Sequence, residues 1–135
     1  MVKILVIEDN RALRENTAEL LELSDFQVLT ASNGVQGVEQ AMEHGPDLII
    51  CDIMMPEMDG FGVLQCLQNS EKCSQTPFIF LTAKTEKAEV QTGLARGADE
   101  YLTKPFDDSE LLQAVERQLA RIRDAAANGG RECAA

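Results

Sequence analysis

Basic residues are scarce in this chain. Twelve Lys and Arg stand against 23 Asp and Glu, a net charge of −11. Phosphate backbones are gripped by a basic face, and none is visible, so binding of nucleic acid by this chain is not expected. Long apolar runs are also missing. None approaches the ~20 residues of a membrane-spanning helix, so no membrane association is expected. The four cysteines, Cys51, Cys66, Cys73 and Cys133, form no CxxC pair and have only His44 for company, which leaves no zinc-ligand spacing. Cys51 lies inside an apolar segment and reads as a small core residue. No signal-peptide pattern precedes the first apolar segment, so a reduced, cytoplasmic setting without disulfides is expected. Internal repeats and low-complexity blocks are absent. No G-x-G-x-x-G follows the first strand pattern, which argues against a dinucleotide-binding enzyme.

What is present is an ordinary globular composition, 44% hydrophobic and 26% charged over 135 residues, enough for one domain with its own core. Strand and helix patterns alternate from end to end. Lys3-Ile4-Leu5-Val6-Ile7 reads as a strand. Asn10 is a candidate N-cap for a helix with Leu13, Thr17, Leu20 and Leu21 on one face. Phe26–Thr30 is a second strand. Asn33 opens a helix expected to turn Val35, Val38 and Met42 inward, stopped by Gly45-Pro46. Asp47–Cys51 is so apolar that it reads as a strand covered on both faces. Phe61, Leu64 and Leu67 mark a third helix, and Pro77 leads into a fourth strand. A weaker helix at about 86–96 has only Val90 and Leu94 as clear anchors and contains Gly93, so it is expected to be the least stable element. A short strand centres on Tyr101, and Leu111, Leu112, Val115, Leu119 and Ile122 stripe a last helix. The domain is expected over residues 1–123, with 124–135 as a flexible tail or linker stub.

Five strands alternating with five helices imply an α/β fold, a doubly wound, flavodoxin-like parallel sheet in the order 2-1-3-4-5. Four strand patterns end at polar residues: Glu8-Asp9, Asp52, Thr82-Ala83 and Lys104-Pro105. In the expected order these residues converge at the carboxyl edge of the sheet, with Glu8, Asp9 and Asp52 at the switch point where such sheets bind ligands. Clustered carboxylates repel unless a cation joins them, and oxygen ligands without Cys or His select a hard ion, Mg²⁺ before Mn²⁺. Asp52 is a candidate nucleophile as well as a ligand. Lys104 and Thr82 supply a positive charge and a hydroxyl for phosphoryl oxygens, and the small Ala83 lets a phosphoryl group approach.

Five motifs in order, Val6-Ile7-Glu8-Asp9, Asp52 through Gly60, Leu81-Thr82-Ala83, Gly97 through Tyr101 and Lys104-Pro105-Phe106, resemble those of the response-regulator receiver domains of two-component signalling. The resemblance covers about Val2 to Arg123. It implies a phospho-accepting signalling module rather than a turnover enzyme. Asp52 would be the phosphoacceptor and Asp9 a direct metal ligand. Glu8, where many members have Asp, would act through water, and Met54 would offer its backbone carbonyl. Thr82 and Lys104 would bind the phosphoryl group, with Tyr101 as the aromatic whose rotamer follows Thr82 and Lys104-Pro105 as a cis peptide. The implied partners are a sensor histidine kinase or phosphotransfer protein, and either a downstream target or an output domain absent from this chain. The output face would comprise the fourth helix, fifth strand and fifth helix, which could also support a homodimer. Met54 and Lys84 flank the site and are expected to slow self-hydrolysis. Two rivals stand beside this: a receiver-like adaptor that works without phosphorylation, and an aspartyl-nucleophile metal phosphatase. The phosphatase would want a second Asp two positions past Asp52, where Met54 stands.

Overall fold

The computed structural model describes residues 1–83, 91–92 and 94–127. The strands are β1 (Lys3–Ile7), β2 (Gln27–Ala31), β3 (Leu48–Asp52), β4 (Phe78–Ala83) and β5 (Glu100–Lys104). The helices among the described residues are α1 (Arg11–Leu23), α2 (Gly34–His44), α3 (Gly60–Gln68) and α4 (Asp108–Ala127). Of the helix expected at about 86–96, Gln91, Thr92, Leu94 and Ala95 are helical, and the rest lies outside the described residues except Arg96, which is in a turn. Lys84 and residues 128–135 also lie outside them.

All pairings are parallel and the sheet order is β2-β1-β3-β4-β5, as expected from the alternating pattern. Successive side chains of a strand point to opposite faces, and β1, β3 and β4 feed two cores accordingly. Leu5, Ile7, Ile49, Cys51, Phe78 and Phe80 pack with Ala41 of α2 and Val63, Leu64 and Leu67 of α3. Ile4, Val6, Leu48, Ile50, Ile79 and Leu81 pack on the other side with Leu21 of α1 and Leu111, Val115 and Leu119 of α4. Burial on both faces explains why β3 carries no alternation and why Cys51 is fully enclosed. Burial also pushes the Cys51 thiol well up, helped by the nearby charges of Asp52 and Glu8, so it stays a neutral core group.

Local chemistry sets the helix ends. Asn10 and Asn33 cap α1 and α2 by accepting from the N–H of Leu13 and Gln36. Gly45 ends α2 in the left-handed region. One expectation fails on α2. Val35 is 45% exposed, and the inward face is Gly34, Gly37 and Ala41, with Val38 and Met42 at its edges. The helix lies too close to β1 for a larger residue, since a Cβ on Gly37 would stand 2.5 Å from the Ile7 side chain. Apolar spacing alone could not register that helix, because its closest contacts are made by residues with almost no side chain.

Candidate phosphoacceptor site

Register brings the acids together. Ile7 of β1 pairs with Cys51 of β3, so Glu8 and Asp52 leave the sheet side by side. Asp52 pairs with Leu81 of β4, which puts Thr82 one step and Ala83 two steps beyond it, and Ala83 pairs with Lys104 of β5. Neighbouring strands lie about 4.8 Å apart. A residue on β5 therefore has to reach across β4 to meet Asp52, and the four-carbon stem of lysine does so over Ala83.

The Lys104 Nζ lies 2.9 Å from Glu8 Oε1 and 3.0 Å from Asp52 Oδ2. The extra methylene of Glu8 carries its carboxylate to an ammonium from three strands away. Its second oxygen accepts the N–H of Asn10 at 3.1 Å. Carboxylate oxygens of Glu8, Asp9 and Asp52 lie within 4.8 Å of one another, a group able to hold a metal ion. Glu8 and Asp52 are buried, whereas Asp9 is exposed on the turn. Together with Asn10, Met54, Ala83 and Lys104 they line a cleft of about 380 Å³.

The electrostatics follow from that crowding. Burial, and then the hydrogen bond and charge of Glu8, hold the Asp9 carboxyl above its usual range, with Lys104 opposing them. For Lys104, burial alone would pull the ammonium down. The hydrogen bonds and charges of Glu8 and Asp52 together outweigh it, and the net shift is upward. The site is an acid cluster neutralised in part by one shared cation.

Each candidate residue has a defined place. Met54, 57% exposed, lines the cleft and donates its N–H to Asp52 Oδ1 at 3.4 Å. Thr82 is buried at the end of β4, where its hydroxyl meets the Ala83 carbonyl at 3.3 Å. Tyr101 is not brought to the cleft. It pairs with Phe80 and is 42% exposed on β5. The Lys104-Pro105 bond is cis. Asp59 caps α3 through the Gly62 N–H, so its role is structural. Gly60 sits against the end of β3, where a Cβ would lie 2.5 Å from the Asp52 carbonyl oxygen and 2.8 Å from Ile53 Cα. Sequence reasoning passed over Arg14, whose Nη1 donates to the Glu8 main-chain carbonyl at 2.8 Å. The available signal was a basic residue one turn past an acidic pair.

The chain matches the response regulator receiver domain family over residues 4–116. It belongs to that family: it is the receiver domain of a two-component response regulator, and domains of this kind bind Mg²⁺ at an acidic pocket. Among curated relatives it is 39% identical over 121 residues to the DNA-binding dual master transcriptional regulator RpaA of Synechocystis sp., covering 90% of this chain and 50% of that protein. It thus spans about half the length of the curated relatives it matches. Among solved structures it is similar to the Vibrio cholerae chemotaxis protein CheY4, with TM-score 0.82 and 32% identity over 87% of this chain and 98% of the other. The receiver domain of a Pseudomonas aeruginosa sensor histidine kinase, solved with a magnesium ion coordinated in its active-site cleft, matches with TM-score 0.82 and 28% identity. That match covers 88% of this chain and 98% of the other.

Proposed function

We propose that this receiver domain takes a phosphoryl group onto Asp52 from a phosphohistidine of a sensor kinase or phosphotransfer protein. The observation that carries the proposal is the arrangement around Lys104, a single ammonium bound to both Glu8 and Asp52 beside Asp9. An Asp52 oxygen attacks phosphorus, the P–N bond breaks as the P–O bond forms, and the imidazole nitrogen leaves with a proton from solvent. Asp9, Asp52 and the Met54 carbonyl would hold Mg²⁺ or Mn²⁺, and Glu8 would reach it through water. When bound, the ion neutralises phosphoryl oxygens as charge develops on them. Lys104 and Thr82 receive the remaining oxygens, and Ala83 leaves room for the group.

Drawing Lys104 and Thr82 toward a phosphoryl group pulls on the ends of β4 and β5. Glu100 at the start of β5 accepts from Gln118 at 2.7 Å and from Arg117, so β5 and α4 are tied together. Tyr101 and Leu94 expose apolar surface on the strand and helix beside them. This face, with the helical residues Gln91, Thr92, Leu94 and Ala95, is the output surface for a downstream protein, a second copy or a further domain. The protein is a signalling acceptor of the cytoplasm, without substrate turnover beyond its own phosphorylation and dephosphorylation. No helix among the described residues is long and apolar enough to cross a membrane.

The test is intact-mass measurement after incubation with acetyl phosphate and Mg²⁺. Wild type should gain one phosphoryl group and Asp52→Asn none. Wild type that gains nothing would favour the phosphorylation-independent adaptor, and equal labelling of Asp52→Asn would move the site elsewhere.

A further inference from the structure

Glu8 is the most constrained residue of the cleft. Its N–H donates to the Ala31 carbonyl at 3.1 Å, Oε1 accepts from Lys104, and Oε2 accepts from the Asn10 N–H. Its carbonyl, the last polar atom, accepts from Arg14 Nη1 at 2.8 Å. Asp9 stands next to it on the exposed side of the turn, between Glu8 and the helix cap Asn10. The direction of the Asp9 side chain depends on the main chain around it as well as on its contact with the Glu8 carboxylate, and the Glu8–Asp9 peptide is one of the two planes that fix it.

Arg14 is half-buried one turn inside α1, where Arg14 N–H makes a bond to the Asn10 carbonyl at 2.9 Å. Helical side chains lean toward the helix N-terminus, which carries this one back over the cap to the end of β1. A cation there sits at the unfavourable end of the helix dipole, so something besides the helix must hold it. Arg11, one turn earlier, has the ordinary arrangement, pairing outward with Glu15 at 2.9 Å on the exposed face. Arg14 instead spends its guanidinium on one backbone oxygen at the metal-binding turn.

We infer that Arg14 is a positioning residue for the divalent cation: by bonding the Glu8 carbonyl it locks the Glu8–Asp9 peptide and so aims the Asp9 carboxylate at the ion. The inference rests on the metal site proposed above and adds to it a residue that touches neither ion nor phosphoryl group. Supporting groups of this sort orient metal ligands, and their loss typically costs tenfold or more in affinity.

Calorimetric titration of Mg²⁺ into wild type, Arg14→Met and Arg14→Lys tests it, with the thermal midpoint of each measured in EDTA. Arg14→Met keeps the apolar stem and loses the donor, and its Kd should rise about tenfold. Arg14→Lys can still donate to a carbonyl and should recover most of the loss. A lowered midpoint with an unchanged Kd would make Arg14 merely structural and overturn the inference. So would tighter binding by Arg14→Met, the signature of a cation that only repels the ion. Arg14→Gln provides a second neutral variant if Arg14→Met does not fold. Wild type that binds no Mg²⁺ would sink the metal site itself and this inference with it, whereas wild-type binding matched by Arg14→Met would sink the inference alone.

Discussion

Replacing Lys104 by Met keeps most of the stem and deletes the charge, which isolates the central interaction of the cleft. In the wild type the ammonium sits 2.9 and 3.0 Å from two carboxylates whose side chains are 1% and 7% exposed. Removing one partner of a fully buried pair costs about 3–5 kcal/mol, because the other charge stays behind unpaired. Lys104 is itself 27% exposed and the cleft opens to solvent, so water offsets part of that loss, and about 2–3 kcal/mol is the appropriate scale. With a urea slope of about 1–3 kcal/mol per molar, the unfolding midpoint in EDTA at pH 7 should fall by roughly 0.7–3 M. Mg²⁺ should then stabilise Lys104→Met by more than it stabilises wild type, because no ammonium competes for Asp52 and Glu8. At one hundred times Kd the ion contributes about 2.7 kcal/mol in any one-site case. The pH dependence has a definite sign. The folded-state pKa of Lys104 lies above its ordinary 10.5, so its contribution is complete at pH 7 and is lost as pH rises through the folded value. The gap between wild type and variant should therefore close only in strong alkali. A Lys104→Met protein as stable as wild type in EDTA at pH 7 would refute the reasoning.

Two further outcomes follow from the same geometry. The folded-state pKa of Asp9 is raised above 3.8, so its ionisation costs stability as pH rises through the raised value. Asp9→Asn should accordingly melt higher than wild type at pH 7 in EDTA, match it in strong acid and lose its response to Mg²⁺. A lower melting point for Asp9→Asn at pH 7 would show that Asp9 is a structural acid. Gly60→Ala would drive a Cβ into the Asp52 carbonyl and Ile53 Cα, backbone atoms that cannot move aside without shifting Asp52. It should lose about 1–3 kcal/mol in denaturant unfolding and phosphorylate more slowly with acetyl phosphate. Full stability and a normal rate would mean that the loop absorbs the added methyl.

Strand count, sheet order, the caps Asn10 and Asn33 and the stop at Gly45 were all legible in the linear chain. Each depends on chemistry within a few residues: an apolar run, a side-chain oxygen facing free N–H groups, a residue able to turn left-handed. The convergence of the polar strand ends at one edge was legible for a related reason. A parallel sheet delivers the residue after each strand to one edge, so Glu8, Asp9, Asp52, Thr82 and Lys104 had to be near neighbours if the strands were read correctly. Distances and directions were not encoded locally. Nothing in the sequence said that Glu8 would meet Lys104 directly, that Arg14 would fold back to a carbonyl while Arg11 pointed outward, or that Tyr101 would lie outside the cleft. Nor could apolar spacing reveal that Gly37 and Ala41, rather than Val35, face the sheet. Pattern and propensity act along the chain, whereas the reach of a lysine over β4 and the clearance between α2 and β1 arise only when elements distant in sequence are packed to contact.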